Sequence, residues 1–147
     1  MKERHMSEQT CIAIPNSMDG LATLAKKAQA FLESCQAPPR AAYATELTLE
    51  EMVTNIIKYG YDDTLKHEIL VRMAADKDFL TLVVEDDGHE FDPTAAPDPD
   101  TTKPLSERKI GGLGIHLVRS MVENMTYRRE GGRNFLQVRI PLVEAAQ

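Results

Sequence analysis

Glu51-Met-Val-Thr-Asn55-Ile-Ile-Lys58 carries two messages at one helical period. Leu49, Met52, Val53, Ile56 and Ile57 recur at helical spacing and form an apolar stripe suited to pack on a sheet. Glu51, Asn55 and Lys58 stand at i, i+4 and i+7, so they share the face opposite that stripe. A polar face made of an acid, an amide and an amine has a plain reading as solvated surface. Its sharper reading is one wall of a ligand cleft.

Working outward, 11–14 reads as a short strand ended by Pro15 and Asn16. Ser17 or Asp19 caps a helix to about residue 35, with Leu21, Leu24, Ala28 and Leu32 at helical spacing. Pro38-Pro39 separates it from the second helix, expected over 40–59 and closed by Gly60. Residues 67–75 and 79–85 predict a hairpin turning at Asp76-Lys-Asp78. The stretch 91–109 contains four prolines and few apolar residues, and loops of that length in compact domains are commonly functional lids. A helix is expected over 115–124, then a closing hairpin of 125–130 and 135–142 around Gly131-Gly132. This order predicts the α+β class: a two-layer α/β sandwich, its mixed, mainly antiparallel sheet carrying helices on one face. Residues 1–8 are expected to be a tail, 9–147 a single domain, and about 92–110 its lid.

The 147 residues suffice to bury a core. A net charge of −6 without a Lys/Arg cluster argues against direct nucleic-acid binding. No apolar run is long enough to span a membrane, and residues 1–10 lack the apolar stretch of a signal peptide, so a cytoplasmic protein is expected. Cys11 and Cys35 read as reduced thiols, and the four histidines lack zinc-ligand spacing.

Three segments carry chemistry. On the helix, the Asn55 carbonyl oxygen suits a hard cation such as Mg²⁺, which takes one or two protein oxygens beside substrate phosphates. Glu51, one turn away, can take a proton from an attacking hydroxyl, and Lys58 can meet a phosphate. After the 79–85 strand, Asp86-Asp87-Gly88 offers a carboxylate for an exocyclic amine such as that of adenine, with a glycine permitting close backbone approach; an ordinary acidic turn fits equally well. Gly111, Gly112 and Gly114 precede the third helix, where backbone N–H groups and the helix dipole favour an anion; a flexible hinge is the plainer alternative. Lys103, Arg108 and Lys109 lie upstream, where lid closure brings them toward a terminal phosphate.

In combination these segments resemble the GHKL ATPase superfamily. Glu51-x-x-x-Asn55-x-x-Lys58 resembles its N box, Asp86-x-Gly88 with Phe91-Asp92-Pro93 its G1 box, and Gly112-x-Gly114 its G2 box. The finer pattern is similar to the small, stand-alone anti-sigma-factor serine kinases, and the resemblance covers roughly residues 9–142. It implies that Asn55 holds Mg²⁺, Glu51 acts as catalytic base toward a protein serine, Asp86 reads adenine, and Gly112 and Gly114 cradle phosphates. The nucleotide-binding set it implies is Asn55, Lys58, Asp86, Gly88, Phe91, Asp92, Pro93, Arg108, Gly111, Gly112, Leu113, Gly114 and Ile115. It further implies ATP and Mg²⁺ as cofactors, a small antagonist protein bearing the acceptor serine, a sigma factor as second partner, and a homodimer. A nucleotide-gated binding module without kinase activity is the alternative. One departure stands out: Gly132-Arg-Asn-Phe135 carries Asn134 where many members have Thr or Ser, although Asn134 can still donate a hydrogen bond.

Overall fold

The computed structural model describes residues 8–95 and 112–143. Five strands and three helices follow in the order β1 (Glu8–Pro15), α1 (Met18–Ser34), α2 (Pro39–Tyr59), β2 (Glu68–Ala75), β3 (Phe79–Asp86), α3 (Gly112–Met121), β4 (Asn124–Glu130) and β5 (Arg133–Pro141). The strands form one sheet in the order β1-β2-β3-β5-β4, and every neighbouring pair is antiparallel. The expected α+β architecture is therefore observed, with a wholly rather than mainly antiparallel sheet.

The layers follow from alternation. Leu80, Leu82, Val84 and Asp86 on β3 are buried, as are Ile69, Val71 and Met73 on β2 and Leu136, Val138 and Ile140 on β5. The apolar ones join Leu24 and Ala28 of α1, Leu49, Met52 and Val53 of α2, and Ile115 and Val118 of α3 in one core. Each fully buried aliphatic side chain contributes about 1.5–3 kcal/mol relative to exposure. On the opposite face, Glu85 is buried between Arg72, 2.9 Å away, and Arg133, 2.7 Å away. Burial raises the Glu85 pKa, but the two guanidinium groups outweigh it and leave the carboxyl below its ordinary range.

Ser17 caps α1, its side chain accepting from the Gly20 N–H at 3.0 Å. The β2–β3 turn is held by Asp76, whose carboxylate accepts from the N–H groups of Asp78 and Phe79, each at 2.8 Å. Gly131 and Gly132 have φ of 60° and 76°, the two positive values that a two-residue hairpin turn of matching twist requires.

Three local expectations change. The buried face of α2 is Ala41, Ala44, Thr45, Thr48, Leu49, Met52 and Val53, while Ile56 and Ile57 are only half-buried. The two buried threonines are satisfied by donating to the carbonyls of Ala41 and Ala44, a use of polar residues that apolar periodicity overlooks. The third helix ends at Met121 rather than 124, because the Glu123 N–H bonds the Arg139 carbonyl at 2.7 Å and draws the chain into the sheet. It also begins at Gly112, so Gly112 and Gly114 lie in its first turn rather than before it. No described helix is long and apolar enough to cross a membrane.

Candidate functional site

A cavity of about 210 Å³ opens where α2, the ends of β3 and β5, and the segment after β3 meet. Helical spacing brings Met52, Asn55, Ile56 and Tyr59 to its α2 wall. Strand alternation supplies Val84 and Asp86 from β3, with Leu136 and Asn134 opposite them on β5. Phe91, Pro93 and Tyr127 complete the walls, with Gly60, His89 and Glu90 at the margin. A mainly apolar slot with a few convergent polar groups is the usual form of a small-molecule site.

The polar end is built around Asp86, which is 4% exposed. Its Oδ1 accepts from the Gly88 N–H at 2.8 Å and from Asn134 Nδ2 at 3.0 Å. Among the described residues Oδ2 receives no hydrogen bond, and Asp86 lines the cavity, so one acceptor oxygen is left to a ligand. Burial pushes the Asp86 pKa up, partly offset by the donors on Oδ1.

The Asn55 amide nitrogen is buried and unpartnered, as is the Thr54 hydroxyl. A buried amide without a partner is costly, and such a group is commonly completed by a ligand. The unpartnered atom is an N–H donor, which suits a phosphate oxygen, while the oxygen of the same amide is the type of ligand that Mg²⁺ takes beside substrate phosphates; among the described residues no group of three His, Cys, Asp or Glu is placed to hold a metal unaided. Gly114 lies against Glu51, and a Cβ at Gly114 would overlap the Glu51 carboxylate. The α3 N-terminal turn, with its partial positive charge, is thereby brought onto the acid.

The chain matches the histidine kinase-like ATPase domain over residues 14–140, nearly all of its described core. It belongs to that family. The domain is similar to a serine/threonine-protein kinase, BtrW, of Bordetella bronchiseptica, at 27% identity over 97 residues, covering 66% of this chain and 68% of the relative. It is also similar to a serine-protein kinase, RsbW, of Halalkalibacterium halodurans, at 24% identity over 91 residues, covering 59% of this chain and 55% of the relative. A crystal structure of the RsbU and RsbW domains of Rv1364c from Mycobacterium tuberculosis superimposes with a TM-score of 0.68 at 15% identity, over 95% of this chain and 34% of that one. This last likeness shows the fold alone. The chain spans about a third of that solved chain and little more than half of the second curated relative.

In this ATPase domain the expected residues divide by place. Asn55, Asp86, Phe91 and Pro93 line the cavity, and Glu51 and Gly114 meet beside it. Lys58 is exposed and does not line the cavity. Asp92 is spent on its own turn: its Oδ1 accepts from the Thr94 N–H at 2.9 Å and the Thr94 hydroxyl at 2.6 Å. Arg119 of α3 donates to the carbonyls of Pro93 and Thr94, fixing this base of the expected lid. Ile115 is fully buried in the core, so its side chain packs rather than binds. Arg108 and Gly111 lie outside the described residues, as does the Leu113 side chain; Gly112 opens α3.

Gly88 also meets a packing requirement of its own. A Cβ there would stand 2.7 Å from the Gly60 carbonyl oxygen, which also accepts the His89 N–H at 2.8 Å. The segment after β3 is thus latched to the end of α2. Tyr61 and His67 reinforce the latch: their rings stack at 4.0 Å, and the Tyr61 hydroxyl donates to Asp87 at 3.0 Å. His67 Nε2 lies 2.8 Å from Asp63 and Nδ1 3.3 Å from Asp87. The hydrogen bond to Asp63, with that to Asp87, raises the His67 pKa.

The residues that sequence reasoning missed are mostly apolar walls. Met52 and Ile56, expected on the stripe opposite Asn55, line the cavity beside it together with Tyr59, and Val84 and Leu136 are reached by stepping two residues back from Asp86 and forward from Asn134. The signal was available once strand register was known, because it pairs Val84 with Leu136.

Proposed function

We propose that this domain is an ATP-dependent serine protein kinase and anti-sigma factor. It phosphorylates a serine on a small anti-sigma-factor antagonist and, in the unphosphorylated antagonist's absence, sequesters a sigma factor, acting as a cytoplasmic homodimer. The observation that carries this reading is the meeting of Glu51 with the first turn of α3 beside the unpartnered Asn55 amide. That arrangement sets a proton acceptor next to an anion-favouring helix terminus and an amide whose free N–H suits a phosphate oxygen and whose oxygen suits Mg²⁺, the parts phosphoryl transfer needs. The names of the two kinase relatives support it.

The adenine ring lies in the apolar slot between Met52, Ile56, Val84 and Leu136, its amine donating to Asp86. The phosphates extend toward Asn55 and the α3 N-terminus. Mg²⁺, when bound through Asn55, neutralises charge on the phosphate oxygens. Glu51 accepts the serine proton as the serine oxygen bonds to the γ-phosphorus and the bond to the bridging oxygen breaks, releasing ADP. Positioning and charge stabilisation supply most of the acceleration. Glu51→Gln tests this: it should retain ATP affinity while transfer to the antagonist falls by about a hundredfold or more, in line with general-base losses. An unchanged transfer rate would remove Glu51 from the role.

A further inference from the structure

We infer that Asn134, held by Tyr127 and Arg129, is a positioning residue that makes this cavity select a 6-aminopurine nucleotide and reject a 6-oxopurine one. The inference rests on the nucleotide-site reading and adds to it a source of base selectivity outside Asp86.

Asn134 Oδ1 accepts from Arg129 Nη1 at 2.9 Å and from the Tyr127 hydroxyl. A guanidinium can only donate, so the atom facing it must be the oxygen. On the other side Nδ2 faces only acceptors, Asp86 Oδ1 at 3.0 Å and the His89 carbonyl at 2.9 Å. Its two protons are thereby used. The Gly88 carbonyl, 3.4 Å from Nδ2, is better served by Arg129 Nη1 at 2.9 Å. Turning the amide over would set its carbonyl against a carboxylate and its NH₂ against a guanidinium, in a residue 6% exposed. Only one orientation is satisfied.

That orientation fixes what the cavity offers a base. Asp86 Oδ1 is occupied by Gly88 and Asn134, so the carboxylate cannot rotate without losing both donors, and Oδ2 is the oxygen left to the ligand. Asn134 has no proton to spare, and the Tyr127 hydroxyl proton is committed to Asn134. His89 Nε2 is 3.2 Å from Asp62. The polar end therefore presents an acceptor and withholds donors. An exocyclic N–H is welcomed there, whereas a 6-oxo group meets a carboxylate oxygen with no proton between them. Rejection of this kind, by leaving polar groups mispaired, discriminates more strongly than loss of apolar contact. Without Asn134 the carboxylate is free to turn and to take a proton, and a protonated Asp86 donates to a 6-oxo group.

Calorimetric Kd values for ATP and for inosine triphosphate, with Mg²⁺, test the inference on the wild-type domain, Asn134→Ala and Tyr127→Phe. The wild type should prefer ATP. Asn134→Ala should reduce that preference by about tenfold or more, the scale of one buried charge-assisted hydrogen bond, through weaker ATP binding with inosine triphosphate little changed. Tyr127→Phe keeps the ring packing and removes one oxygen; it should shift the preference in the same direction by a smaller factor, and it decides the matter if Asn134→Ala does not fold. Equal weakening of both nucleotides in these variants would reduce Asn134 to a structural residue and overturn the inference. Equal wild-type affinity for the two triphosphates would overturn the selectivity alone, whereas a wild type that binds neither would overturn the nucleotide site itself.

Discussion

Asp86 on β3 stands directly opposite Asn134 on β5, and the Asn134 amide donates to the Asp86 carboxylate at 3.0 Å. Register makes the pair, because a slip of one residue on β5 would turn Asn134 to the other face of the sheet and leave the carboxylate without its side-chain donor. The closing hairpin that fixes this register is set by the two positive-φ glycines, 131 and 132, a few residues away. The turn thus determines the polar end of the cavity.

Asp86 is held at a cost. Its folded pKa is raised above the ordinary 3.8, so folding favours the protonated form and stability falls as pH rises through that interval. At neutral pH the ionised group is destabilising. Asp86→Asn keeps an oxygen for Gly88 and Asn134 while removing the charge. Its melting temperature should equal or exceed that of the wild type, while calorimetry should show ATP affinity reduced by about 10–100-fold. Near-normal affinity would refute the assignment of Asp86 to the base.

Gly114→Ala separates site from scaffold. The new Cβ would overlap the Glu51 carboxylate, the movable end of a side chain, so Glu51 must turn away. Replacing a helical glycine by alanine otherwise favours the helix by about 0.5–1 kcal/mol. Thermal stability should hold within about 1 kcal/mol by these opposing effects, whereas phosphoryl transfer should fall by about a hundredfold, as misplaced catalytic groups do. Equal transfer by the variant and wild type would show that Glu51 does not need this position.

Gly88→Ala behaves differently, because its Cβ would meet backbone, 2.7 Å from the Gly60 carbonyl oxygen. Neither helix end nor strand end can yield without moving the latch. Denaturant unfolding should report a loss of about 1–3 kcal/mol, typical of overpacking, with weaker ATP binding as Asp86 shifts. A wild-type unfolding midpoint would show the contact to be soft.

His67 gives the latch a pH dependence. Both ring nitrogens face carboxylate oxygens, and carboxylates only accept, so the charged imidazole is favoured and its pKa lies above the ordinary 6.5. A raised folded pKa gives stability that is complete below the unfolded value and is lost as pH rises through the folded one. The wild-type melting temperature should therefore fall, as pH rises above the ordinary 6.5, more steeply than that of His67→Gln. Parallel profiles would place the dependence on other groups.

The fold was legible where periodicity is strong. The stripe on α2, the alternation on β3 and the Gly131-Gly132 turn each named their element, since each pattern has one backbone that satisfies it. The site was legible in its polar residues, because Glu51, Asn55 and Asp86 are types whose chemistry shows in the sequence. Ile56 packs against the core as its periodicity predicts and also lines the cavity, a second use that periodicity does not reveal. Asp92, expected at the ligand, holds a local turn through Oδ1, a use that the Asp92-Pro-Thr94 stretch suits equally well. Lys58 lies beyond Asn55 toward the end of α2, where the helix is exposed.

The central claim is transfer of phosphate to a protein serine. The direct measurement is incubation of the domain with Mg²⁺ and γ-labelled ATP in lysate of its source organism, with Glu51→Gln in parallel. The account predicts one small protein labelled on serine by the wild type and unlabelled by the variant. No labelled protein, with ATP binding by the wild type confirmed, would contradict it and leave a domain that uses ATP to gate capture of a partner.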